Sequence, residues 1–141
     1  MVVIRSSIRP LLRQVAAIIS KVLQDKGYHR EEVCLLGSWN EQSDRLYLAL
    51  LTSRPLDLKV LQPLYADVMN GLRERLDEPG KPPVTWHISL IMGYTADGRS
   101  PESTQFTVTE EEEDVSDFLE SMIDHAWAER KPSRTATAAP E

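Results

Sequence analysis

VCLLGSWNEQSDRLYLALLT, residues 33–52, decides the fold: two apolar runs, 33–38 and 45–52, flank a polar stretch. Within that stretch Asn40, Gln42, Ser43 and Asp44 supply turn chemistry, so the pair reads as a β-hairpin. Pro55 ends the second strand, because proline has no N–H to give to a ladder.

Working outward, residues before the hairpin form an amphipathic helix. Ile8, Leu11, Leu12, Val15, Ile18, Ile19, Val22 and Leu23 share an arc of roughly 140° at about 100° per residue. Ser7 is placed to cap this helix, Pro10 falls in its first turn, and Gly27 stops it. After the hairpin a second helix is expected over 58–76, with Leu58, Leu61, Leu64, Val68 and Leu72 on its buried face and Pro63 either kinking it or marking its start. PGKPP, residues 79–83, breaks the chain before the clearest alternation in the sequence. There Val84, Trp86, Ile88, Leu90 and Met92 alternate with Thr85, His87, Ser89, Ile91 and Gly93, which predicts a strand with two unlike faces. A shorter strand is expected over 105–109. A closing helix follows, with Asp114 as its cap and Val115, Phe118, Leu119, Met122, Ile123, Ala126 and Trp127 on one side.

The predicted order is α-β-β-α-β-β-α, an α+β two-layer sandwich on a mainly antiparallel sheet with helices on one face. Residues 1–131 make a single domain. The stretch 132–141, PSRTATAAPE, has no large apolar residue and is expected to be a disordered tail. The uncovered sheet face then presents Thr85, His87, Ser89, Gln105, Thr107 and Thr109, which makes it the place to look for a partner. Of three tryptophans, Trp86 and Trp127 fit core periodicity, whereas Trp39 sits beside the polar turn as a candidate interface anchor.

The chain of 141 residues carries a net charge of −6, a balance that argues against a nucleic-acid binder taken in bulk. The distribution of charge along the chain weakens that objection. Residues 1–100 hold 13 basic and 11 acidic side chains, net +2, and residues 101–141 hold 3 basic and 11 acidic, net −8. Arg5, Arg9 and Arg13, spaced by four, are a candidate basic ridge on the first helix, able to meet phosphates or simply to stay solvated. The run Glu110 to Asp114 has neither the alternating ligands nor the glycine of a calcium loop, and acids before a helix interact favourably with its dipole.

Catalytic constellations are missing from the pattern. Gly37-Ser38 resembles the opening of a nucleotidyltransferase signature, but Leu46 stands where the second carboxylate would be needed after Asp44. His87 and Ser89 would share a strand face, yet no orienting carboxylate or oxyanion donor is identifiable, so no catalytic residue is assigned. Three scattered histidines and the lone Cys34 give no metal-ligand spacing; no metal and no cofactor are expected, and Cys34 reads as a buried small hydrophobe. No run of about 18 apolar residues is present and arginines interrupt the N-terminus, so no membrane insertion and a cytoplasmic location are expected.

In element order the chain resembles the small acidic chaperones of type III secretion. LYLALLTSRPLDLKVLQPLYADVMNGL (46–72) is similar to their strand, turn and central helix ending near an Asn, here Asn70, and DFLESMIDHAWAERK (117–131) to their last helix. This resemblance implies a non-catalytic homodimer, formed through the central helix or an adjoining strand, that holds an extended segment of another polypeptide. Residues 7–94 also resemble the type II K-homology arrangement of ribosome-binding factors, which implies RNA or the ribosome as the alternative partner, with the acidic C-terminal segment regulating access.

Overall fold

The computed structural model describes residues 8–95 and 112–138, with side chains to residue 128. Three helices pack on a four-stranded sheet: α1 Arg9–Asp25, β1 Val33–Asn40, β2 Arg45–Thr52, α2 Leu58–Leu76, β3 Ile88–Tyr94, β4 Glu112–Asp114 and α3 Ser116–Ala138. Single 3₁₀ turns at Arg30–Glu32 and Val84–His87 lead into β1 and β3. The α+β class stands, and the element order follows the expected one in outline.

α1 is built as its periodicity requires, burying Leu12, Val15, Ile18, Ile19 and Leu23. Gly27 takes φ 87° just beyond its end, and the Tyr28 amide reaches back to the Leu23 carbonyl at 3.0 Å. Ser7, its expected cap, lies outside the described residues. Asp57 caps α2, its Oδ1 accepting from the Val60 amide at 3.1 Å, and the helix continues through Pro63. Leu64, Val68 and Leu72 are buried as expected; Leu58 is not, because the first turns of α2 extend past the core.

The hairpin pairs β1 with β2 in full register from Val33↔Thr52 to Asn40↔Arg45. Asp44 closes its turn with φ 53°, a left-handed conformation that asparagine and aspartate tolerate better than most residues. The sheet order is β3-β2-β1-β4. β3 runs parallel to β2, Leu46↔Ile88 through Thr52↔Tyr94, so the sheet is mixed, with two antiparallel pairings and one parallel. The cause is α2: a 19-residue helix is about 29 Å long, enough to return the chain past the start of β2 before β3 begins.

Val33, Leu35, Leu46, Leu48, Leu50, Ile88 and Leu90 share one core with all three helices. Gly37 is where α3 comes closest to β1; a Cβ there would lie 2.5 Å from Leu119 Cδ1 and 3.1 Å from Val115 Cγ2. The opposite sheet face carries Cys34, Ala49 and Leu51 with Leu36 against them. That face is therefore apolar in its centre, not the polar surface expected. The strand expected at 105–109 lies outside the described residues, and β4 is instead the acidic triplet 112–114. Asp114 does cap α3, its Oδ1 accepting from the Ser116 amide at 2.9 Å. The α3 backbone runs on to Ala138, into the stretch expected to be a disordered tail.

Candidate polypeptide-binding edge

The residues expected to form one polar face do not come together. Strand alternation fails at 84–87, where the chain is a 3₁₀ turn. Asp77, at the end of α2, imposes that turn by accepting from the Thr85 amide at 3.0 Å and from its hydroxyl at 2.7 Å. Thr85 is consequently buried. Burial by itself would raise the Asp77 carboxyl, but these bonds from Thr85 outweigh it and hold the group below its ordinary value. Trp86, expected in the core, is turned out and 69% exposed.

His87 Nδ1 lies 2.9 Å from the Asp44 carbonyl oxygen, so this nitrogen carries the hydrogen, and the Asp44 carboxylate is 3.7 Å away. Ser89 Oγ accepts from Arg45 Nη1 at 2.9 Å. Each side chain thus has its own partner, and the two do not form a nucleophile and base. Thr107, with Gln105 and Thr109, lies outside the described residues. Trp39 is not an exposed anchor; it falls within β1 on the helix-facing side with Val33 and Leu35, half-buried against the core. Of the basic ridge, Arg5 lies outside the described residues, Arg9 stands over the Phe118 ring at 6.0 Å, and Arg13 is exposed.

What the fold brings together instead is a sheet with two unlike edges. Most of the outer edge of β1 is occupied. Arg30 Nη1 donates to the Val33 carbonyl at 2.8 Å, and the Leu35 amide donates to Glu120 Oε2 at 2.7 Å. The Gly37 amide donates to Ser116 Oγ at 2.9 Å, while its carbonyl accepts from the Val115 amide at 3.0 Å. Ser38, Trp39 and Asn40 pair with β4, three acidic residues long. Arg30 fastens this edge to α3 through Glu120 at 2.7 Å and Asp124 at 2.6 Å. Burial opposes the charge of Arg30, yet the two carboxylates more than offset it and its pKa is raised.

β3 forms the other edge and has none of this. It is seven residues long, ISLIMGY, with no charge and no proline. Among the described residues nothing hydrogen-bonds to its outer side. Ile91 and Tyr94 are 55% and 53% exposed. α1 touches both other helices and α3 lies over β1, which leaves α2 on the β3 side of the sheet. Its exposed Leu58, Val60 and Tyr65 complete the set: every large apolar side chain standing exposed among the described residues comes from α2, the Val84–His87 turn or β3. Isolated exposed leucines are ordinary, but six large apolar groups gathered around a strand whose outer side has no partner among the described residues mark a candidate interface.

A sequence signal for this edge existed. The neutrality of 88–94 was legible; its edge position was not, because that follows from a parallel crossover. Among the described residues no group of three His, Cys, Asp or Glu is placed to hold a metal ion, and no helix is long and apolar enough to cross a membrane. Compared with known protein families, with curated proteins and with solved structures, the chain matches none.

Proposed function

We propose that this protein is a non-catalytic polypeptide-binding module that takes up an extended partner segment along β3. The outer edge of β3, to which nothing hydrogen-bonds among the described residues, carries this reading. Such an edge offers a row of main-chain donors and acceptors, and an added strand gains main-chain hydrogen bonds while its alternate side chains find pockets. Here Ile91 and Tyr94 and the outer side of α2 supply apolar contact for those side chains. The resemblance to secretion chaperones implies a homodimer through the central helix or an adjoining strand; α2 is the central helix, and a dimer through it would leave the β3 edge to the partner segment. A cytoplasmic location belongs to the same reading.

Sedimentation of the purified protein, beside capture of extended apolar peptides, tests it. Ile91→Lys places a charge on the edge and is expected to abolish peptide capture while the fold persists. A protein that stays monomeric and captures no peptide, with or without the substitution, would sink the proposal. RNA or ribosome binding is the second reading, favoured by exposed Arg13 on α1. It requires retardation of RNA at low salt that weakens steeply as salt rises.

A further inference from the structure

A groove of about 510 Å³ crosses the outer surface of α1, between Arg75 of α2 and Ala126 of α3. Arg13, Lys21 and Arg75 line it together with Gln14 and Ser20, and Pro10, Ala17, Ile18 and Ala126 supply apolar surface. In a chain of net charge −6 this concentration of cations is out of proportion, and none of the described lining residues is Asp or Glu. Ser20 adds an independent sign. It is fully buried and borders the groove, and among the described residues its hydroxyl, like that of Thr95 elsewhere, has no hydrogen-bond partner. Buried hydroxyls are nearly always satisfied, so one left open at the wall of a cationic groove points to a ligand atom that completes it.

We propose that this groove binds a compact organic phosphate of nucleotide size. Guanidinium groups match phosphate oxygens in a bidentate fork, which suits Arg13 and Arg75; Lys21, which also meets Asp25 at 3.2 Å, adds a point charge about 12 Å along α1 from Arg13. Ala17 and Ala126 leave room for a flat ring against the helix surface. The volume falls within the usual range for small-molecule sites. A long polyanion fits less well, because the adjoining groove, which shares Ile18, Lys21 and Arg75, brings in Asp25, Asp67 and Glu74.

Titration calorimetry of the full chain at low salt with ADP, pyrophosphate, adenosine and a single-stranded RNA oligomer is the test. ADP is expected to bind one-to-one and adenosine not to bind. Arg13→Gln and Arg75→Gln should each weaken ADP about tenfold, and Arg9→Gln, outside the groove, should leave it unchanged. Ser20→Ala should weaken ADP about threefold while the melting temperature of the free protein holds or rises, a combination that a purely structural hydroxyl would not give. The proposal is overturned if neither ADP nor pyrophosphate saturates the protein by about 1 mM, if adenosine binds as well as ADP, if Arg9→Gln costs as much as Arg13→Gln, or if the RNA binds where ADP does not.

Discussion

The two edges of the sheet solve the same problem in opposite ways. On the β1 side, a three-residue acidic strand, the Ser116 hydroxyl, the Glu120 carboxylate and the Arg30 guanidinium occupy the backbone groups in turn. Charge, shortness and covering are the devices by which sheets avoid edge-to-edge pairing. On the β3 side seven uncharged residues have no such partner among the described residues, and Trp86, Ile91 and Tyr94 stand exposed beside them. Residues 112–114 of the acidic run thus have a specific position: they pair with Ser38, Trp39 and Asn40 along the β1 edge.

Breaking the guarded side should have the larger cost. Gly37→Val forces a side chain into the contact of α3 with β1, against fully buried Leu119, and is expected to lower stability by about 3 kcal/mol in urea unfolding. The corresponding glycine on the open side, Gly93, meets only Leu51 Cδ2 at 3.2 Å, so Gly93→Ala should cost under about 1 kcal/mol. Equal losses at the two glycines would contradict the contrast. Arg30→Ala comes next. It unfastens α3 from β1 and should cost about 2 kcal/mol, since the partners are only partly shielded from water. Hydrogen exchange should then rise first at the Val33 to Gly37 amides.

Opening the guard sharpens the comparison without removing Asp114, which caps α3. Glu112→Thr with Glu113→Val is expected to leave stability within about 1 kcal/mol and to shift the protein toward assemblies larger than a dimer, read by light scattering. An unchanged mass distribution would mean that β4 does not limit pairing. The smallest effect is acid. Asp77 is held below its ordinary value in the folded protein, so its bonds to Thr85 stabilise above the unfolded carboxylate range, about pH 4, and that contribution is lost as pH falls through the folded value. Asp77→Asn should flatten that part of the pH profile and loosen the entrance to β3.

α1 and the hairpin were readable because hydrophobic period and turn chemistry agree over long windows. α2 kept its predicted span, Leu58–Leu76, for the same reason. The failures share a cause. Thr85, His87 and Ser89 alternate in sequence as a strand would, but Asp77 reaches across from α2 and winds the first of them into a turn. His87 then meets Asp44 and Ser89 meets Arg45, contacts spanning 43 and 44 residues of chain. Trp39, a candidate anchor beside its polar turn, is half-buried because pairing through Asn40 places it on the core side.

By itself the sequence determined the α+β class, the helix faces and the neutrality of residues 88–94, all of which are set by local periodicity and residue type. Only the tertiary structure decided that those neutral residues form an edge and that the acidic ones close the other. Edge position depends on how strands distant in the chain are ordered, and no local pattern of side chains encodes which neighbour a strand will lack.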